Sequence, residues 1–168
     1  FGALDFVLRD DNAYVYTGDT AVQAIYGFRM LRKNIQWGVM SGTRYQSDNQ
    51  DPYRPLPPSS SMAYPVDTYV RYNPTSNLWL EGEFAYVRGV TDRIYSEQTR
   101  GENAKVEYMG GVARARYTSF KWGELSLEPL LEFGYASGDN NPTDSHARNF
   151  IFNSDYIWVV TLFLNYEN

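Results

Sequence analysis

Five arginines, Arg29, Arg44, Arg71, Arg114 and Arg116, and four glutamates, Glu81, Glu83, Glu128 and Glu132, stand in segments where polar and apolar residues alternate. A guanidinium holds a carboxylate through two parallel hydrogen bonds, so a wall carrying both signs has two uses. It can hand carboxylated solutes from one arginine to the next, or it can pair with itself across neighbouring strands and brace an interior. Residue types alone leave both uses open. Mixed signs also give a weaker selecting field than a uniformly basic lining would.

Nothing in the sequence points to catalysis. His146 is the sole histidine and sits next to Ser145. A nucleophile needs a base within hydrogen-bond reach and a third group to orient that base, which adjacent residues in an extended loop supply poorly. No phosphate-binding loop, dinucleotide fingerprint, nucleophile elbow or zinc spacing occurs, so no enzyme and no cofactor are expected. The stretch GDNNPTD offers Asp139, Asn141 and Asp144 as hard oxygen ligands of the kind calcium takes. It lacks the glycine and the terminal glutamate of an EF-hand loop, and Asx residues with proline ordinarily make turns, so no metal is expected either. Cysteine is absent, which removes disulfides and thiolate metal sites.

The elements that carry these residues read as strands. Period-two alternation runs through Phe1–Arg9, Thr20–Lys33, Ile35–Ser47, Pro65–Asn73, Asn77–Val90, Asn103–Thr118, Glu124–Ser137 and Asp155–Tyr166. Most are longer than the five or six residues usual in soluble proteins. They match the roughly 9 to 11 residues that a tilted strand needs to cross a bilayer. The longest apolar run, near IWVVTLFL, is too short for a membrane helix. Short turns at Lys33 and Asn34, at Asn73–Asn77 and at Ser119–Gly123 alternate with long loops at Asp10–Asp19, Asp48–Tyr64, Thr91–Glu102 and Gly138–Ser154. That rhythm predicts an all-β, antiparallel up-and-down transmembrane β-barrel with about eight strands in this chain, its long loops extracellular. The proline-rich YRPLPPSSSMAY reads as an exposed connection, with a pore-constricting or receptor-binding loop as the alternative.

One phase of each strand is apolar: Val22, Ala24, Tyr26, Phe28 and Met30, then Trp37, Val39 and Tyr45, then Leu78, Leu80, Phe84 and Tyr86, then Leu131, Phe133 and Tyr135. The other phase holds the arginines and glutamates above together with Asp5, Arg9 and Asp67. Lys105 and Glu107 share one phase while Arg114 and Arg116 share the other, which predicts a bulge at Gly110 and Gly111. A basic side chain at the lipid midplane costs about 2 to 4 kcal/mol, so in a membrane the charged phase must line the lumen. In a soluble carrier barrel the faces exchange roles, and periodicity by itself fits both. The tyrosines near strand ends, 15 of them in the chain, suit the interfaces of a bilayer. Mean hydropathy is −0.51 and the net charge −5, with a pI near 4.9, which argues against a nucleic-acid binder. The FGALDF start, with neither Met nor a basic apolar leader, is expected of a processed or truncated end.

Two stretches, DFVLRDDNAYVYTGDTA (Asp5 to Ala21) and EFGYASGDNNPTDSHARNFIFNSDY (Glu132 to Tyr156), resemble segments of the alginate-export type of outer-membrane β-barrel of Gram-negative bacteria. The resemblance implies a barrel that exports an anionic polysaccharide through a lumen of arginines and acids. Barrels of that family have more than eight strands, so the chain is expected to be part of a larger barrel. The expectation is therefore an outer-membrane channel for hydrophilic, anionic or saccharide solutes, lined by Arg29, Arg44, Arg71, Glu81, Glu83, Arg114, Arg116, Glu128 and Glu132. Its expected partners are membrane lipid, lipopolysaccharide and the solute. The alternative is a structural or surface-binding barrel whose interior is plugged by its own ion pairs.

Overall fold

A computed structural model describes residues 2–7, 20–48, 59–92, 104–118, 120–122, 125–141 and 144–150. All regular structure among them is β. The strands are β1 (Gly2–Val7), β2 (Thr20–Leu31), β3 (Ile35–Asp48), β4 (Ser59–Tyr72), β5 (Leu78–Thr91), β6 (Ala104–Tyr117), β7 (Phe120–Trp122), β8 (Leu125–Leu127), β9 (Leu130–Ala136) and β10 (His146–Ala147). β1 to β6 pair in sequence order, each antiparallel to the next, and β9 joins β6 on its far side. The sheet is open, with β1 at one edge and β9 with β10 at the other.

The short turns fall at one end of the sheet because their side chains and amides close them locally. The Arg32 amide donates to the Ile35 carbonyl at 2.8 Å, and Thr75 Oγ1 accepts from the amides of Asn77 and Leu78 at 3.3 and 3.0 Å. Neighbouring turns are then stitched together, Asn73 to the Asn34 carbonyl and Thr118 to that of Asn77, each at 2.8 Å.

Four details differ from the expectation, the first being that the short turn expected at Ser119–Gly123 holds strand β7, paired with β8. β4 begins at Ser59, so the serines and Met62 to Tyr64 extend a hairpin with β3 instead of belonging to a loop. The strand expected over Glu124–Ser137 is broken around Pro129, which has no N–H to give to a ladder, into β8 paired with β7 and β9 paired with β6. No bulge interrupts Gly110 and Gly111: the β5–β6 register runs unbroken from Leu78 opposite Tyr117 to Thr91 opposite Ala104. The one-residue displacement lies instead between the β6–β9 and β7–β8 registers. Lys105 and Glu107 thus share the apolar phase, at the long-loop end of β6, with Glu107 directly opposite Arg88. The expected strand Asp155–Tyr166 and most of the long loops before β2, β4 and β6 lie outside the described residues.

The sheet is strongly curved. Gln23, Arg44, Asp67, Val87 and Tyr108, from five successive strands, line a single depression of about 280 Å³. Laid flat, strands about 4.8 Å apart would hold the first and last of these roughly 19 Å from each other. They converge because their face is the concave one. Gly42 lies on it where a Cβ would come within 2.6 Å of the Ala24 carbonyl, so the bend there requires glycine.

The concave face carries the charged phase and the convex face the apolar one. On β4, Pro65, Asp67, Tyr69 and Arg71 are half-buried while Tyr64, Val66, Val70 and Tyr72 between them are exposed. Leu131 is 73% exposed, Phe133 70%, Tyr26 58% and Phe28 57%, all on the convex face. Leu31, Met40 and Leu130 are the exposed large apolar residues of the charged phase. Among the described residues the buried apolar ones are Ala21 and Ala104, and no large side chain is fully buried. Among the described residues the concave face mixes its charges with apolar side chains, Ile25, Met40, Pro65 and Val87 lining the same depression as Arg44 and Asp67.

Candidate functional site

Register places the inner side chains in rows across the strands. One row reads Gln36, Arg71, Glu81, Arg114, Glu132 over β3, β4, β5, β6 and β9. Directly opposed residues of opposite sign attract across a ladder, and here they do so in series. Arg71 Nη2 donates to Glu81 Oε2 at 3.3 Å, Arg114 Nη1 lies 3.9 Å from Glu81 Oε1, and Arg114 Nε donates to Glu132. Glu81 is the most enclosed member, its side chain 12% exposed. One turn-ward step along the wall, Arg116 pairs with Glu128 in a more exposed setting. The Arg71 guanidinium also lies 4.8 Å from the Trp79 ring centre and 5.8 Å from that of Tyr69, close enough for cation–π attraction.

The next row towards the long loops reads Arg29, Gly38, Tyr69, Glu83, Val112. Arg29 and Glu83 line a shallow depression there with Asp67 and Tyr69. Neither Arg29 nor Glu83 forms an ion pair with another described residue. Asp67 Oδ1 and Arg71 Nε are buried without a hydrogen-bond partner among the described residues. A lone pair and an N–H left in this state are groups that water or a passing solute satisfies. Further still from the turns, Arg44 donates to Gln46 Oε1 at 3.4 Å.

The nine residues expected to line a lumen thus share the concave wall, six of them joined in ion pairs. Asp5 has its backbone opposite Gln23, and Arg9 lies outside the described residues. Trp79 falls on the charged phase, as its alternation with Leu78 and Leu80 implies; Tyr69 and Tyr108 share that phase and were missed, although the two-residue spacing of Tyr69 from Asp67 and Arg71 was an available signal.

At the far end, the segment after β9 folds back on the wall. Ser137 extends the ladder by donating to the Met109 carbonyl, and β10 runs parallel to β6 with His146 opposite Lys105. Arg148 Nη1 reaches Asp144 Oδ2 at 3.0 Å and Asp139 Oδ1 at 3.5 Å. A guanidinium therefore stands between the carboxylates once considered for calcium. Hydrogen bonding from Arg148 holds the Asp144 carboxyl below its usual range, and the same bond pushes Arg148 higher still. The His146 ring leans towards Asp144, with Nδ1 3.9 Å from its Oδ1.

Comparison of the chain with protein-family models, curated proteins and solved structures gives no match. The alginate-export resemblance accordingly rests on the two sequence segments alone, and the functional reading rests on the wall.

Proposed function

We propose that the chain forms part of the wall of a bacterial outer-membrane β-barrel that passes hydrophilic solutes, of which anionic saccharides suit the lining best. The observation that carries this is the inverted distribution of faces: exposed aromatic and aliphatic side chains cover the convex side, while charges crowd the concave one. Soluble monomers rarely leave more than a few hundred Å² of contiguous apolar surface in water. In lipid the same surface is solvated by acyl chains.

Two further features support the reading. Tyr64 and Tyr72 bracket Val66 and Val70 on the convex face of β4, a spacing that places tyrosine at both edges of an apolar belt. Two hydroxyls of that face are turned to the backbone, Ser41 to the Pro65 carbonyl at 3.0 Å and Thr68 to that of Phe84 at 3.3 Å, while those of Tyr64 and Tyr86 bond Met62 and Glu107. Hydrocarbon offers no partner, so polar groups there must be satisfied within the wall. Arg88, Glu107 and Lys105 come beyond Tyr86 on the same face, where headgroups and lipopolysaccharide would meet them.

Inside, Arg29, which has no ion pair among the described residues, and the aromatic platform of Trp79 would give carboxylates and sugar rings places to rest, with guanidinium forks at successive levels. The ladder from Arg71 to Glu132 favours a second reading, a structural barrel braced and plugged by its own ion pairs. Strand number separates them, because eight strands close around little more than their own side chains and larger barrels leave a channel. Planar-bilayer recording of the full-length protein tests the proposal: discrete conductance steps are expected, and inserted protein that never conducts would favour the plugged barrel.

A further inference from the structure

Phe150 occupies a position that its loop setting does not explain. Its ring lies over Gly110, so closely that any Cβ at Gly110 would collide with it, and it meets the Tyr108 ring edge-on with centres 6.0 Å apart. Gly110 and Tyr108 are both on the charged phase of β6, and Gly110 is near the middle of that strand. The ring is therefore inside the curve of the sheet, well below the long-loop rim. Several bonds hold it there. The Phe150 amide donates to the Ser137 carbonyl at 3.0 Å, Ser137 Oγ donates to the Arg148 carbonyl at 2.7 Å, and Arg148 is clamped by Asp139 and Asp144. The absence of a side chain on Gly110 makes the seat, and Ala85 and Ala136, its partners on the two neighbouring strands, keep the adjoining wall low.

We infer that Phe150 is the residue that sets the size limit of the pathway: an apolar ring folded in from the loop and standing on a wall of small residues, narrowing a passage otherwise lined with charge. An apolar constriction between charged levels limits cross-section and favours dewetting without adding a charge preference. This rests on the channel reading, and the test separates the two.

Wild-type, Phe150→Ala and Phe150→Tyr forms of the full-length protein would be compared by single-channel recording and by swelling of liposomes in neutral sugars of increasing size. Phe150→Ala should raise conductance on the order of twofold and admit larger sugars with unchanged ion selectivity, as expected for a steric gate. Phe150→Tyr, which keeps the ring, should behave as wild type. A silent wild type with a conducting Phe150→Ala would keep the inference while making the ring a closure instead of a filter. A conducting wild type whose conductance and size limit are unchanged by Phe150→Ala would overturn the inference and leave the channel reading standing. Silence in all three, with insertion verified, would overturn both.

Discussion

Glu81 ties the charged wall together, since its two oxygens face Arg71 on one side and Arg114 on the other. Removing its charge leaves two half-buried guanidiniums facing each other across β5. Glu81→Gln should destabilise the folded sheet by about 1 to 3 kcal/mol, the range for hydrogen bonds to charged groups and for orphaned partners. Urea unfolding in liposomes measures this, and reversal potentials should shift towards anion preference in the same variant. Arg116 and Glu128 are more exposed, so breaking that pair should cost less, about 0 to 1 kcal/mol. In the loop, the Asp144 carboxyl titrates below the ordinary value of 3.8 because Arg148 hydrogen-bonds its charged form. A depressed folded pKa gives stability that is present above the unfolded value and is lost as pH falls through the folded one. Carbonyl-carbon NMR should therefore show an Asp144 midpoint below 3.8 that moves up in Arg148→Gln, with no loosening of the loop near neutral pH. Residue types disclosed the charged lining in the sequence, whereas the pairs needed the register. Which arginine meets which glutamate depends on turn lengths that alternation does not encode.

The strands were the most legible level. Alternation over Thr20–Leu31, Ile35–Asp48 and Leu78–Thr91 gives both the element and the residues that share each face, because side chains alternate with period two, but not which face is concave. It failed where a local rule outweighed pattern. Pro129 cuts a segment that otherwise alternates, and Ser59–Ser61, which reads as loop by composition, is held in a hairpin by its partner strand. The bulge expected at Gly110 and Gly111 assumed that Lys105 must face inward. Lys105 instead stands on the convex face at the long-loop end of β6, where the proposed barrel would put a charge near the interface at little cost. Phe150 was illegible because it opens a run of three apolar residues, Phe150, Ile151 and Phe152, too short to show a period. Depth along the strand makes a further prediction. Phe84, on the convex face near the middle of β5, should cost about 2 to 4 kcal/mol when replaced by arginine in a bilayer. Phe84→Arg can be compared with Val90→Arg, beside the loops, which should cost about 0 to 1 kcal/mol in the same titration.

At the scale of the molecule, the inner charges nearly cancel: on the described concave wall the lining arginines meet Asp67 and the four glutamates in adjoining rows. Selection by such a wall comes from local grips and from width, not from a long-range field. Among the described residues no further strand pairs with the edges at β1 and β9, and a spanning sheet must pair such edges in closing. All of this depends on the convex face meeting acyl chains. The chain has no native cysteine, so single labels can be placed freely. The most direct measurement is spin-label accessibility in liposomes at Leu80, Phe84, Leu131 and Phe133 against Glu81, Glu83 and Glu132, each replaced in turn by cysteine. The account predicts that labels of the first set collide with dissolved oxygen and are shielded from a water-soluble nickel reagent, and that the second set shows the reverse. Equal nickel access at both sets, or oxygen-rich surroundings at Glu81 and Glu83, would contradict it.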